Sequence, residues 1–294
     1  MNVVSTTLGG MSREQPRQML GEAAIQARGG LQAVIFDWAG TTIDHGCMAP
    51  VASFLEVFRR RGVPITLAEA REPMGTHKRT HIQRITEMES VAERWRAAHG
   101  TPPSEADIDG MFAEFVPLQL ACIAESADPI PGCLETVERL RARGLRIGST
   151  TGFTGEMMAI LLPEAQKRGY APDVTVAATD VPAGRPFPFM CLKNVIDLHV
   201  TSVEACVKID DTLTGIQEGL NAGMWSVGVA MTGNEIGLPE AELATLDPLV
   251  RAQRRAKAYE RMRGAGAHYV IDGIADLLPI IDAIEKRRRQ GERP

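Results

Sequence analysis

The sequence predicts an α/β protein whose parallel sheet is interrupted by an inserted, all-helical segment. Short apolar runs of strand length alternate with stretches of helical spacing over most of the chain. Strand and helix in repetition indicate a parallel sheet with helices on both faces. The alternation is broken once, between about residues 46 and 128, where the apolar residues follow helical spacing only.

Each strand is predicted from one short apolar run. In chain order these runs are 33–36, 145–149, 174–178, 205–209, 226–230 and 269–271. Helices are expected between them at 132–143, 154–169, 187–198, 213–222 and 273–287. Gly144 and Gly223 stand where two of these helices should end. Inside the interruption, helical spacing predicts helices around 51–58, 77–99 and 105–125.

These patterns divide the chain into three parts. Residues 1–29 mix charges of both signs, lack the apolar stretch of a signal peptide, and are expected to form an N-terminal extension. The sheet-forming core is expected to comprise 30–46 and 127–294. The inserted helices would form a cap domain over 47–126, and the Pro- and Gly-containing segment 128–132 marks the return to the sheet.

Composition limits the classes of function. The formal charge of −5 on 294 residues, 44% of them hydrophobic, predicts a globular core and neither a nucleic-acid nor a membrane partner. No apolar run reaches the ~18 residues that span a bilayer. The five cysteines are scattered without a C-x-x-C pair, which argues against a disulfide scaffold and favours a reducing, cytoplasmic location. The basic run 286–289 is interpreted as a solvated helix end, and salt-sensitive nucleic-acid binding is the least favoured alternative.

Acidic residues follow two of the predicted strands. Asp37 ends the first strand and opens the segment D-W-A-G-T-T, and Asp210 and Asp211 follow the fourth. An isolated Asp at a strand end often only begins a turn. Ligands of parallel sheets, however, sit beyond the carboxyl ends of the strands. Two such sites can converge on one cation, and oxygen ligands with few nitrogen donors suit Mg²⁺.

Two further segments carry groups that suit a phosphoryl ligand. The run Ser149-Thr150-Thr151-Gly152 offers hydroxyls and backbone N–H groups beside a helix start. Arg185 precedes a Pro-Phe-Pro segment where the next helix begins, and its guanidinium can neutralise a phosphoryl oxygen. Taken singly, these are ordinary capping and surface residues. Their order along the chain makes the signal specific.

In this order, Asp37, Thr151, Arg185 and Asp211 resemble the four motifs of the haloacid-dehalogenase-like superfamily. The resemblance implies a Rossmann-like core with an inserted cap and covers the chain from about residue 31 onward. Within the superfamily, the chain is similar to the phosphonoacetaldehyde hydrolase, or phosphonatase, family. The segments that carry this narrower resemblance are D-W-A-G-T-T, M-G-T-H-K-R-T-H from Met74, S-T-T-G, G-R-P-F-P, and N-A-G-M-W from Asn221.

One missing acid favours the narrower resemblance. Phosphatases of the superfamily usually carry a second Asp two residues after the nucleophile to protonate the departing alkoxide, but that position is Ala39 here. A carbanion leaving group instead needs an electron sink, and a protonated imine between Lys78 and an aldehyde provides one. Met74 and Gly75 precede Lys78 and allow a close, apolar approach, so burial would lower the pKa of the amine.

The resemblance implies hydrolysis of phosphonoacetaldehyde to acetaldehyde and phosphate. Asp37 would be the nucleophile and form an aspartyl phosphate, and Lys78 would form the Schiff base. Mg²⁺ would be held by Asp37, the Ala39 carbonyl and Asp211. The residues expected to bind the substrate are Thr151, Gly152, Arg185, Gly75, Met74, His81 and Cys47. The resemblance also implies that His81 assists proton transfer and that a homodimer forms through the cap helices.

Two departures and two alternatives accompany this hypothesis. Phe153 stands where a relative has an aromatic hydroxyl. Gly215 stands where many relatives have another Asp, so Asp210 is expected to compensate near the metal. A phosphatase or phosphomutase of the same superfamily is the nearest alternative, and Ala39 opposes it. A regulatory protein without catalysis is the other, and the intact catalytic motifs oppose it.

Overall fold

The computed structural model describes residues 30–294 and centres on one sheet of parallel strands. The strands are β1 Ala33–Phe36, β2 Arg146–Thr151, β3 Val174–Ala177, β4 Cys206–Asp210, β5 Trp225–Val229 and β6 Tyr269–Ile271. Their spatial order is β3-β2-β1-β4-β5-β6. The predicted α/β fold with a parallel sheet is therefore confirmed, with small shifts at the strand ends. The N-terminal extension expected for 1–29 lies outside the described residues.

Helices fill the interval between β1 and β2. They are α1 Met48–Arg60, α2 Leu67–Arg71, α3 Lys78–Glu87, α4 Glu89–His99 and α5 Glu105–Cys122. The helical segment expected over 77–99 is present as α3 and α4, which are separate helices because the chain turns at Met88, where ψ is an extended 131°. Ser90 and Arg94 both hydrogen-bond to Glu69 Oε1, at 2.5 and 2.6 Å, and these contacts turn α4 towards α2.

The remaining helices precede β2 or follow the strands from β2 to β6. They are α6 Cys133–Ala142, α7 Gly155–Lys167, α8 Phe189–Asp197, α9 Leu213–Asn221, α10 Glu240–Thr245, α11 Pro248–Gly264 and α12 Leu277–Arg289. The sequence did not predict α10 and α11. Only Ala258 and Met262 of α11 are buried, so this long helix has no apolar stripe that a periodicity argument would detect. None of the helices in the described part of the chain is long and apolar enough to cross a bilayer.

The topology places a crevice beyond β1 and β4. Every residue of β1, β4 and β5 is buried, as expected for parallel strands covered on both faces. From β1 the chain leaves towards β2 on one side of the sheet and later returns to β4 on the other side. Ligands of such sheets bind outside the carboxyl ends at this reversal. Phe36 pairs with both Ser149 and Ile209, so the ends of the three strands lie level.

The loop between α2 and α3 lies directly on the strand-end loops of the core. A Cβ on Gly75, whose φ is +89°, would meet Thr212 Oγ1 at 2.4 Å. A Cβ on Gly152 would meet the carbonyl oxygen of Thr76 at 2.7 Å. Glycine is therefore required on both sides of this contact, at Gly75 also for its backbone conformation. Thr214 Oγ1 donates to the Met74 carbonyl at 2.9 Å, which fixes the inserted helices over the crevice.

Candidate active site

Asp37 is the first residue after β1 and lies in the crevice. Only 5% of the residue is exposed, and its Oδ1 accepts a hydrogen bond from Arg185 Nη2 at 2.6 Å. Burial raises the pKa of Asp37 above its ordinary value, although the charge of Arg185 opposes the shift. The carboxylate is thus held in one orientation by a fixed cation at a strand end.

A buried cluster of acids surrounds this position. One carboxylate oxygen from each of Asp37, Asp210 and Asp211 lies within 4.8 Å of the others. Burial raises the pKa of Asp211 well above its ordinary value, and the neighbouring charges of Asp37 and Asp210 raise it further. A cation would relieve this crowding, and a site built from carboxylate oxygens fits Mg²⁺.

Contacts from two loops orient Asp211. Its Oδ2 accepts from the Asn234 backbone N–H at 2.7 Å, and its Oδ1 accepts from Thr41 Oγ1 at 3.2 Å. The Cys47 thiol lies 2.8 Å from the Ala39 carbonyl oxygen and 3.4 Å from Asp211 Oδ2. The Ala39 carbonyl and the Asp211 carboxylate therefore both contact the Cys47 thiol, which brings the two oxygens to the same part of the crevice.

Asp210 differs from the other two acids because its oxygens already have partners. Its Oδ2 lies 2.7 Å from Lys208 Nζ, and its Oδ1 accepts from both the N–H and the hydroxyl of Thr212. A Cβ on Gly215 would lie 1.9 Å from Asp210 Cγ. The Asp210 side chain therefore occupies the space that a side chain at 215 would need. The departure at Gly215 therefore has a steric cause, because any larger side chain there would meet Asp210.

Arg185 is held by several groups at once. Its Nη2 donates to Asp37 and to the hydroxyl of Thr150 at 2.8 Å, and its Nε donates to Glu218 Oε2 at 2.9 Å. Burial alone would lower its pKa, but Asp210, Asp37 and Glu218 hold the pKa well above its ordinary value. Its remaining amino group, Nη1, makes no hydrogen bond within residues 30–294 and is free for a ligand oxygen.

Sequence reasoning missed Glu218 and Lys208, which complete this charge cluster. Both are fully buried, and Lys208 Nζ lies 3.7 Å from Glu218 Oε2. A lysine inside the otherwise apolar strand run 205–209 was the available signal, because a lysine that stays charged when buried needs an anionic partner.

Lys78 begins α3 and approaches the crevice from the opposite side. Only 3% of it is exposed, and its Nζ makes no hydrogen bond or ion pair within residues 30–294. The Nζ lies 4.8 Å from the centre of the Phe153 ring and 5.7 Å from that of Phe54. Burial lowers its pKa to about 8, against the opposing charges of Cys47 and Asp37. About a tenth of this amine is therefore neutral at about pH 7, far more than for a solvated lysine.

A small cavity of about 20 Å³ lies between Lys78 and the strand ends. Its walls include most of the residues predicted for the site: Asp37, Ala39, Cys47, Met74, Gly75, Lys78, Thr151, Gly152 and Arg185. Phe153 lies in the wall as well, where it contributes an apolar ring. Asp211 lies behind the wall, within the acid cluster.

His81 is the predicted substrate-binding residue that does not line this cavity. Its Nε2 bonds to the Ala70 carbonyl at 2.9 Å, and its ring stacks on Phe54 with 3.8 Å between ring centres. Burial lowers its pKa well below the ordinary value, and its Nδ1 has no partner within residues 30–294. His81 therefore contacts Phe54, whose ring also faces Lys78.

Comparisons with known proteins show which family and fold the chain resembles. Residues 31–223 match the haloacid dehalogenase-like hydrolases. A phosphonoacetaldehyde hydrolase from Nitratidesulfovibrio vulgaris is 51% identical over 266 residues, which are 90% of this chain and 95% of that protein. Another from Hahella chejuensis is 50% identical over 91% of each chain. The crystal structure of a phosphonoacetaldehyde hydrolase-like protein from Oleispira antarctica superposes with a TM-score of 0.89 at 45% identity, over 91% of this chain and 97% of that one.

Proposed function

We propose that this chain, which belongs to the haloacid dehalogenase-like hydrolases and within them to the phosphonoacetaldehyde hydrolase family, cleaves phosphonoacetaldehyde to acetaldehyde and phosphate. One observation carries the proposal. A buried amine without an anionic partner, Lys78, lies across a small cavity from the strand-end carboxylate Asp37. Position 39 of the same cavity offers only a methyl group, so an alkoxide leaving group would find no acid there.

Lys78 prepares the carbon–phosphorus bond for cleavage. The neutral amine adds to the aldehyde carbon, water leaves, and a protonated imine remains on Lys78. The carbon next to phosphorus is then conjugated with an electron-poor centre. When the bond to phosphorus breaks, its electron pair moves into the iminium and gives an enamine. The low pKa of Lys78 and its dry setting beside Phe153 support this step.

Asp37 accepts the phosphoryl group. One of its carboxylate oxygens attacks phosphorus in line with the departing carbon and forms an aspartyl phosphate. A water molecule then releases phosphate and restores the carboxylate. The enamine takes a proton on carbon, and the resulting iminium is hydrolysed to acetaldehyde and free Lys78. One water is consumed overall, because the water lost in imine formation is returned in imine hydrolysis.

Groups around the cavity stabilise charge and fix the substrate. Mg²⁺, when bound by Asp37, the Ala39 carbonyl and Asp211, offsets the negative charge of the phosphoryl group. Arg185 binds a phosphonate oxygen through the unused Nη1 amino group, and the backbone and hydroxyl of Thr151-Gly152 bind another. Cys47, Met74 and Gly75 line the rest of the cavity in this proposal. His81 contributes by stacking on Phe54, whose ring faces Lys78.

The larger organisation belongs to the same proposal. The core comprises 30–46 and 127–294, the cap comprises 47–126, and closure of the cap excludes water from the imine. A cytoplasmic homodimer joined through the cap helices is proposed from the family resemblance, and light scattering after size-exclusion chromatography tests its mass.

The decisive experiment is an assay of the purified protein with Mg²⁺ and phosphonoacetaldehyde. We expect acetaldehyde and phosphate to appear in equal amounts, which a coupled alcohol dehydrogenase assay and a phosphate assay measure together. A set of phosphate monoesters is the control, and we expect hydrolysis of these esters to be very slow. Efficient ester hydrolysis without carbon–phosphorus cleavage would instead identify a phosphatase of the same superfamily.

A further inference from the structure

Arg71, at the end of α2, connects the inserted helices to two loops of the core. Its Nη1 donates to the Gly46 carbonyl at 2.8 Å, and its Nη2 donates to the Gly237 carbonyl at 3.1 Å. A Cβ on Gly237, whose φ is +65°, would lie 2.6 Å from Arg71 Nε. The guanidinium is therefore seated closely against the core. Its partners within residues 30–294 are neutral oxygens and one sulfur, so its contacts fix geometry and form no ion pair.

One of these contacts leads to the acid cluster through a single residue. Arg71 Nη1 lies 3.3 Å from Asn234 Oδ1, and Asn234 Nδ2 donates back to the Arg71 carbonyl at 3.1 Å. The backbone N–H of the same Asn234 donates to Asp211 Oδ2 at 2.7 Å. Asn234 is buried, with 8% exposed, so water does not compete freely for these bonds. A displacement of Arg71 is therefore transmitted to the donor that orients Asp211.

The other contact leads to the same acid by a second path. Gly46, which Arg71 holds through its carbonyl, directly precedes Cys47 in the link between β1 and α1. The Cys47 thiol contacts both the Ala39 carbonyl and Asp211 Oδ2. The Gly46 N–H donates to the Thr232 carbonyl at 2.7 Å, which joins this link to the loop that carries Asn234. Arg71 thus braces both loops that face Asp211.

We propose that Arg71 is a positioning residue for the metal site: its contacts with Gly46, Gly237 and Asn234 hold Asp211 in its ligating orientation only when the inserted helices are closed on the core. Cap closure and Mg²⁺ binding then favour each other by the same factor. The identification of the cation as Mg²⁺ rests on the proposed function. Arginine is required because its planar fork reaches three oxygens at once, which the single ammonium of lysine cannot do.

The structure supplies a matched control in the same cleft. Arg261 of α11 pairs with Glu72 at 3.1 Å and with Glu235 at 3.1 Å, the residues that directly follow Arg71 and Asn234. Arg261 therefore links the same two segments, but it does so through one exposed carboxylate, Glu72, and one largely buried carboxylate, Glu235, and it makes no contact with Gly46 or Asn234. Arg71→Lys and Arg261→Lys thus separate positioning of Asp211 from general attachment of the inserted helices.

The test measures the dissociation constant of Mg²⁺ by titration calorimetry on the purified full chain, without substrate. We expect Arg71→Lys to weaken Mg²⁺ binding by about 10- to 100-fold, as for other groups that orient metal ligands. Arg261→Lys should change it by less than about twofold. Turnover of Arg71→Lys should recover most of its kcat at saturating Mg²⁺, because the catalytic groups themselves are intact.

Asn234→Ala provides a second route to the same answer. It removes the amide that joins Arg71 but keeps the backbone N–H that donates to Asp211. It should weaken Mg²⁺ binding in the same direction as Arg71→Lys, and the double variant should be no weaker than the more affected single variant. If Arg71→Lys does not fold, Asn234→Ala alone carries the test.

Two results overturn the inference. One is an unchanged Mg²⁺ dissociation constant in the folded Arg71 or Asn234 variants, and the other is an equal loss in Arg261→Lys. Lack of phosphonoacetaldehyde cleavage by the unaltered protein would remove the proposed function, but the calorimetric comparison would still decide the role of Arg71.

Discussion

The core and the inserted helices each place one buried cation at the same cavity, and the two cations behave in opposite ways. Arg185, from the core, contacts Asp37 and Glu218 directly, and its pKa is held well above the ordinary value. Lys78, from α3, has aromatic rings as its neighbours, and burial lowers its pKa to about 8. Both side chains are almost fully buried, so burial alone does not explain the difference.

The difference teaches that the chemistry of a buried cation and its partners together decide what it can do. Arg185 carries a guanidinium, which stays protonated, and the carboxylates within hydrogen-bond distance hold its pKa higher still, so it can only attract negative charge. Lys78 has no such partner within residues 30–294, so its amine can lose a proton and act as a nucleophile. In the proposed function, the core therefore handles the phosphoryl group and the inserted helices supply the aldehyde chemistry.

The strongest test of this comparison replaces Lys78 of α3 with arginine, the type of cation that the core uses at position 185. Lys78→Arg keeps the positive charge but removes the amine, because guanidinium stays protonated. We expect turnover of phosphonoacetaldehyde to fall by at least about 10³-fold. Inactivation by acetaldehyde plus borohydride, which reduces an imine to a stable amine, should disappear as well. Peptide mapping of the unaltered protein should place this adduct on Lys78.

Lys193→Arg is the matched control for that experiment. Lys193 is half-exposed, lies outside the cavity and pairs with Asp197 at 2.9 Å on α8, so its replacement should leave turnover and labelling unchanged. Normal turnover by Lys78→Arg, or adducts spread over surface lysines, would remove the Schiff base from the mechanism. The motifs would then support only an aspartate-based phosphotransferase.

Asp37→Asn should distinguish the reaction of the core from that of the inserted helices. Removal of the nucleophile should lower turnover by roughly 10³-fold or more. Reaction of Lys78 with acetaldehyde needs no phosphoryl transfer and should persist at no less than the normal rate near neutral pH, because Asp37 raises the pKa of Lys78. Borohydride labelling with peptide mapping measures this rate, and a melting curve verifies folding. Loss of labelling in a folded Asp37→Asn protein would mean that the two regions do not act independently.

The same contrast explains what could be predicted from the sequence. The strand-end acids follow from a general rule, since parallel strands bring their carboxyl ends to one edge. The alternation of strand and helix was therefore enough to place Asp37 and Asp211 at the same edge of the sheet. Lys78 is different, because nothing local distinguishes it from a solvated helical lysine. Family resemblance and the missing acid at position 39 identified it, and only the fold shows its burial against Phe153.

Other features that the sequence alone did not reveal also have physical causes. Glu218 acquires its role only when α9 packs against β4, so its sequence neighbours do not reveal it. The side chain of His81 stacks on Phe54 of α1 and bonds to the carbonyl of Ala70 in α2. Helical spacing alone does not reveal this orientation, because it depends on how α3 packs against those two helices. The turn at Met88 likewise depends on contacts with Glu69, which lies on another helix. Each of these depends on a tertiary contact that periodicity does not encode.

Arg185→Lys should weaken the phosphoryl side of the site and leave the amine side intact. A lysine can keep the charge but cannot bind Asp37, Glu218 and a ligand oxygen through one planar fork. We expect the inhibition constant of inorganic phosphate to rise by roughly 10- to 100-fold, and we expect labelling of Lys78 to be unaffected. Arg255→Lys, at an exposed pair with Asp272, is the control. An unchanged inhibition constant would show that Arg185 does not contact the phosphoryl group.

The smallest expected effect is a shift in the pH dependence of imine formation, and it should be found for Lys78 alone. Only the neutral amine attacks an aldehyde, so the rate of imine formation follows the deprotonated fraction. With a pKa of about 8, that fraction should rise about tenfold between roughly pH 7 and pH 9 and level off above the pKa. A freely solvated amine should instead keep gaining reactivity up to about pH 10. Brief acetaldehyde–borohydride pulses at each pH, quantified by peptide mapping, measure Lys78 and the surface lysines in one sample. Parallel profiles for the two would mean that the amine of Lys78 is as solvated as the surface, and the contrast with Arg185 would then have no chemical consequence.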